Sequence, residues 1–272
     1  MSKKLFIQLI QRACIVTLLF LSTTNYSHSV QAQLPNSIQN TINNSRVPSF
    51  QRPTLPRNGA PTGRRRAGAG RNPECPSSLT RLAALVPGDQ EKSVLGSTVA
   101  DNPTYWFYVP ELPESARSAE FVLLLSQNNR DVQNVYRTPL TLSGKSGVIS
   151  ITLPSQPQYS LKSDQTYHWY FHIYCGDPQK TSDNFYVDGY VQKQVLTQVV
   201  DNQLKAAKPR EYIVYSANNI WYDAVTNLGQ LRRANPQNAT INKDWIDLLN
   251  AVGLQDLAKE PILQHYNLEK SD

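Results

Sequence analysis

The chain has 272 residues, with 27 Lys and Arg against 21 Asp and Glu, and a formal net charge of +6. That charge is unevenly placed. No acid precedes Glu74, residues 1–32 carry three bases, residues 33–73 carry seven Arg, and residues 74–272 carry a net charge of −4. A globally basic, nucleic-acid-binding fold is excluded by this asymmetry, because the positive charge lies outside the stretch expected to fold.

Lys3 and Lys4 precede a clean apolar stretch, Ala13–Leu21, of nine residues. A membrane-spanning helix needs about 20 residues, whereas the apolar region of a signal peptide needs about 7–15. Val30-Gln31-Ala32 supplies small or branched residues before a cleavage point. The expectation is a signal peptide over 1–32, export to the periplasm or beyond, and no transmembrane span after cleavage. Two cysteines then remain, Cys75 and Cys175, and two cysteines in an exported chain permit one intramolecular disulfide. That bridge would fasten the start of the folded region to its middle.

Residues 33–73 hold no acid, six Pro and four Gly. Such a stretch buries too little apolar surface to offset its chain entropy, and the reading is a disordered arm. Its bases, Arg46, Arg52, Arg57, Arg64, Arg65, Arg66 and Arg71, form a candidate electrostatic arm for an anionic surface or envelope polymer; the alternative is a solvated spacer. Without interleaved aromatics it is no stacking platform for single-stranded nucleic acid.

From Leu79 the pattern changes to short alternating runs. Strands are expected at Arg81–Val86, Val94–Val99, Thr104–Val109, Ala119–Ser126, Asn134–Leu142, Gly147–Leu153, Thr166–Cys175 and Asn184–Gln192, with Pro, Gly and Asn turn signals between them. About eight short strands without intervening helices predict a mainly β fold: an antiparallel, immunoglobulin-like β-sandwich over 74–194. Side chains alternate faces along a strand. Tyr167, Trp169, Phe171, Ile173 and Cys175 should therefore face the core, and His168, Tyr170, His172 and Tyr174 the other side. After Gln194 the period becomes helical. Helices are expected over Val195–Ala206, Glu211–Ala217, residues 217–234 and a segment capped by Asn242 and stopped by Gly253. The stretch 195–268 should be a helical region packed on the sandwich, giving α+β overall.

The order of motifs resembles a family. Asn102-Pro103-Thr104-Tyr105-Trp106-Phe107-Tyr108-Val109-Pro110, Ala119-Glu120-Phe121-Val122-Leu123, Val135-Tyr136-Arg137-Thr138, Gly147-Val148-Ile149-Ser150-Ile151, Tyr167-His168-Trp169-Tyr170-Phe171, Val187-Asp188-Gly189-Tyr190-Val191 and Trp221-Tyr222-Asp223-Ala224 together look like the cyanobacterial "domain of unknown function 928" family, over residues 72–262. The resemblance implies an exported cyanobacterial protein with an envelope role. It carries no assigned activity and no catalytic residues.

Gly144-Lys145-Ser146 lacks the Gly five residues earlier that a phosphate-binding loop requires. His168 and His172 lie four residues apart on a strand, about 13 Å, too far to share one metal ion. Ser or Cys nucleophiles have only His168, His172 and His265 as bases in the folded region, and no Gly-x-Ser-x-Gly turn is present. Asp177, Asp183 and Asp188 could pair as hydrolytic carboxylates, and a loop containing Asp177 and Asp183 could meet calcium, without a dense ligand motif. No cofactor, metal or catalytic set is expected. The one surface that stands out is aromatic: His168, Tyr170, His172 and Tyr174 beside Tyr186, Asp188 and Tyr190, provided the two strands pair. Such a face suits a carbohydrate or a protein partner, unless the helices bearing Trp221 and Trp245 cover it. The expectation is that they do. The leading reading is a non-enzymatic envelope interaction module; the alternatives are a carbohydrate-binding protein and an Asp/Glu-dependent hydrolase.

Overall fold

Aromatic and β-branched residues concentrate between Thr104 and Tyr190, and they form the two main sheets of the protein. The computed structural model describes residues 61–68, 75–89, 91–180 and 184–269, all within the unit Asn36–Asp272. The strands in chain order are β1 Thr62–Arg64, β2 Ala83–Ala84, β3 Lys92–Val94, β4 Gly96–Thr98, β5 Thr104–Val109, β6 Ser118–Gln127, β7 Arg130–Thr141, β8 Gly147–Thr152, β9 Thr166–Tyr174, β10 Asn184–Lys193 and β11 Ile262–Asn267. The helices are α1 Gln198–Ala207, α2 Tyr212–Ala217, α3 Trp221–Ala234 and α4 Ala239–Ala251. The fold is thus mainly β, with several sheets and, among the described residues, four α-helices.

A five-stranded sheet runs β4-β10-β9-β6-β7, a four-stranded sheet runs β11-β8-β5-β2, and β1 pairs with β3. The two larger sheets share one core. The alternation expected on β9 holds: Tyr167, Trp169, Phe171 and Ile173 are buried. Across the interior, Phe107 of β5 stacks on Phe171 at 4.4 Å and meets Trp169 edge-on at 5.5 Å. Every residue of β5 is buried, because its other face is covered too. There Trp106 contacts the Trp245 ring of α4 at 6.0 Å and donates to Thr226 Oγ1 of α3 at 3.0 Å. Trp221 donates to the Leu85 carbonyl at 2.8 Å. α3 and α4 therefore cover the outer face of the four-stranded sheet, with Tyr222 of α3 also reaching the shared core beside Trp169, and they do not lie over the aromatic face of β9.

Local signals explain the helix ends. Thr197 and Asn238 accept from the third residue beyond, as N-caps do. The cap of α4 is thus Asn238, not the expected Asn242. Gly253, at φ 74°, ends α4: its N–H meets the Asn250 carbonyl, and the Leu254 N–H reaches back to Leu249. This closing pair of bonds satisfies carbonyls that the helix leaves free.

The sheets are not wholly antiparallel, since β4 joins β10 and β11 joins β8 in parallel. Residues 262–267, expected within the helical region, form β11. Residues 62–66, expected within the disordered arm, are folded: β1 runs against β3, and Arg66 bridges to Ala83. The signal segment 1–32 and Arg46, Arg52, Arg57 and Arg71 lie outside the described residues. Cys75 and Cys175 form a disulfide with Cα atoms 5.5 Å apart, packed against the core.

Candidate functional site

β9 and β10 pair in a register that places His168 opposite Tyr190, Tyr170 opposite Asp188, and His172 opposite Tyr186. The seven residues singled out from sequence therefore share the outer face of the five-stranded sheet. β6 extends the face, with Glu120 opposite His172 and Val122 opposite Tyr170. Side chains two apart on a strand stand near one another, and the rings form a row. Centroids are 4.0 Å apart for Tyr190–His168, 4.1 Å for His168–Tyr170, 5.6 Å for Tyr170–His172 and 6.1 Å for His172–Tyr174. Tyr186 joins the row beside His172 at 5.4 Å.

The row has a sealed end and an open end. At the sealed end, His168 is 5 % exposed, and Tyr190 and Asp188 are each 8 % exposed. His168 Nδ1 lies 3.0 Å from Asp131, and Nε2 lies 2.8 Å from Asp188. Each ring nitrogen thus lies within hydrogen-bonding distance of a carboxylate. Both nitrogens are therefore occupied by partners within a buried ring. The Arg64 backbone N–H donates to Asp188 Oδ1 at 2.9 Å, and the Arg64 guanidinium sits 4.4 Å over the Tyr186 ring. Gly63 fits there because a Cβ would stand 2.4 Å from the Asp188 carbonyl oxygen. A strand that looked like a flexible arm thus closes this end.

At the open end, Tyr170, His172, Tyr174 and Tyr186 are half-buried. The Tyr170 hydroxyl donates to Asp131 at 3.2 Å, and the Tyr174 hydroxyl to Glu120 at 2.9 Å. Arg137 holds Glu120 at 3.0 Å from the neighbouring strand. Burial, then the hydrogen bond to Glu120, pushes the Tyr174 phenol up to about 12. Burial does the same to Tyr190, aided by the charges of Asp131 and Asp188. Burial draws His172 below the ordinary imidazole value against an opposing hydrogen bond with Asn184. Its Nδ1 has no hydrogen-bond partner among the described residues.

Arg65 and Arg66, expected on a solvated arm, are structural. Arg65 is 1 % exposed and donates to the carbonyls of Asp89 and Val252, both at 2.6 Å. Arg66 pairs with Asp256 at 2.8 Å. Ser150 and His265 do meet, with Oγ 2.9 Å from Nδ1, but Ser150 is 1 % exposed and no substrate could reach it. Asp177 accepts from the Gln179 N–H in a turn, and Asp183 lies outside the described residues. No group of three His, Cys, Asp or Glu suited to a metal occurs among the described residues, and no described helix is long and apolar enough to cross a membrane.

The sequence reading gave no role to Asp223. It lies in the first turn of α3, at a cleft of about 260 Å³ between α2, α3 and the segment from Thr98 to Thr104. Asp223 Oδ2 accepts from Thr98 Oγ1 at 2.7 Å and from the Val99 N–H at 3.1 Å. Burial pushes its carboxyl up to about 6 despite those bonds. The available signal was an acid beside the apolar stripe of an amphipathic helix, which sequence alone reads as first-turn capping.

Comparison with curated proteins and with solved structures returned no match. The family described as Domain of Unknown Function (DUF928) matches residues 66–262, from the bridge beside β1 to the start of β11. That span takes in both larger sheets apart from most of β11, the aromatic row and the four described helices, and the chain belongs to this family.

Proposed function

We propose that the protein is an exported, non-enzymatic binding module of the cell envelope. Its ligand-binding surface is the open end of the aromatic row, Tyr170, His172, Tyr174 and Tyr186, and its ligand is carbohydrate. The observation that carries this reading is that the helices pack on the opposite sheet, which leaves these rings half-exposed. Rings with polar tips, rimmed by Glu120 and Arg137, offer apolar contact and hydrogen bonds together, which a sugar requires. The N-terminal signal pattern and the disulfide support export. The two facing sheets are read as an immunoglobulin-like sandwich extended by the parallel strands β4 and β11. Arg46, Arg52, Arg57 and Arg71 form the remaining electrostatic arm and would hold the acidic body near an anionic surface.

A glycan array and a pull-down on isolated envelope polysaccharide test the ligand. Binding by the parent that falls at least tenfold in Tyr170→Ala/Tyr174→Ala, with unfolding temperature kept, supports the reading. Binding unaffected by the double substitution refutes it, as does no binding to any glycan.

A further inference from the structure

Carboxylates packed into this fold are matched by bases. Asp188 has His168, Asp244 has Arg210, and Glu120 has Arg137. Asp223 departs from that pattern. Its partners are the Thr98 hydroxyl and backbone N–H groups of Val99, Ala100 and Asp223 itself, and it forms no ion pair among the described residues. Those bonds hold the loop after β4 and, with the N-terminus of α3, offset part of the charge through dipoles, but no formal counter-charge faces it. A buried charge ordinarily has a counter-charge.

The cleft that opens on Asp223 shows which counter-charge fits. No Lys or Arg lines it. Glu211, bonded to the lining residue Asn227 at 3.2 Å, adds a second negative charge. Tyr215, also in the lining, has its phenol pushed up to about 12 by burial and by the charges of Asp223 and Glu211. An anion or a zwitterion would bring a carboxylate to a site without a base. A hard divalent metal needs about six or more oxygen ligands, and the lining holds a single carboxylate. An organic cation meets neither objection. At about 260 Å³ the space lies just below the usual range for small-molecule pockets, about 300–1,000 Å³.

We infer that this cleft is a binding site for a small organic ammonium compound, an alkyl monoamine or diamine without a carboxylate. The ammonium group sits on Asp223, with the alkyl part against Pro103 and the Tyr215 ring. The site is separate from the aromatic row.

The groups around Asp223 are Thr98 and the Val99 and Ala100 N–H groups from β4 and its loop, Tyr215 from α2 and Tyr222 from α3, with Glu211 behind Asn227. None of them is basic. The ligand cation therefore depends on Asp223 being ionised, and affinity should fall about tenfold between pH 7.5 and pH 5.

Calorimetry of the full chain tests the site with 1,4-diaminobutane and with its neutral isostere, butane-1,4-diol. The expected result is one-to-one binding of the diamine, none of the diol, and a loss of at least tenfold in Asp223→Asn. An asparagine carbonyl still accepts from Val99, and circular dichroism checks the fold. Independently of any variant, diamine added to the unaltered chain should shift the NMR signals of Tyr215 and Thr226. Equal binding of diamine and diol, absence of diamine binding, unchanged affinity in a folded Asp223→Asn, or shifts confined elsewhere would overturn the proposal.

Discussion

Arg65→Met examines whether the Arg-rich segment belongs to the fold. The substitution keeps the aliphatic stem and removes the guanidinium. In the structure that group donates to Asp89, which is exposed, and to Val252, which is fully buried at the end of α4. The Asp89 carbonyl regains water, so its loss should cost under about 1 kcal/mol. The Val252 carbonyl cannot, and a buried unsatisfied acceptor costs about 1–3 kcal/mol. The favourable meeting of a cation with a helix C-terminus goes as well, about 0.3–1 kcal/mol. Against this stands the desolvation cost that the buried guanidinium no longer incurs. The net expectation is about 3 kcal/mol, or roughly 6–12 °C for a fold of this size. Arg64→Met is the control: its side chain is exposed, and it loses only the contact over Tyr186, about 0.5–1 kcal/mol. Thermal unfolding of the oxidised protein reads both. If Arg65→Met unfolds within about 1 °C of the parent, residues 61–68 are no part of the cooperative unit and the arm runs on to residue 73.

Gly229→Ala sets two rules against each other. An interior helical Gly normally gains about 1 kcal/mol on becoming Ala, but here a Cβ would stand 2.5 Å from the Trp106 ring. Overpacking costs about 1–3 kcal/mol, so denaturant unfolding should show a loss; a gain would mean that Trp106 moves freely. Replacing Cys75 and Cys175 by Ser opens a link across 100 residues and should cost about 4–5 kcal/mol on chain-entropy grounds, read from urea midpoints. For Asp223, the folded carboxyl titrates near 6 and the unfolded one near 3.9. Between those values the native state holds the extra proton, so stability falls as pH rises from about 4 to 6. The partly exposed group should contribute on the order of 1–2 kcal/mol, and Asp223→Asn should lack this fall relative to the parent in a pH series of unfolding midpoints.

Much of the fold was written in local pattern. Alternation on Thr166–Tyr174 gave both the strand and its buried face, and the change of period after Gln194 gave the helices to within a few residues. The grouping of the aromatic residues was expected on condition that the two runs pair, and the register of β9 with β10 meets that condition. The single pairing open to Cys75 and Cys175 is the one observed.

What the sequence could not determine depended on distant partners. Thr62–Arg64 reads as disordered because its composition buries little. It folds because Asp188, 124 residues away, accepts its backbone, and because α4 offers Arg65 a carbonyl 187 residues on. Ile262–Asn267 has no clean alternation and becomes a strand because the edge of β8 is there to pair with it. The covering of one sheet face and not the other was decided by Trp106, which meets Trp245 and Thr226 across the helices. Local periodicity states which side of an element is apolar. Only packing over long separations states what covers it, and that choice left Tyr170 and Tyr174 half-exposed and Asp223 without a base.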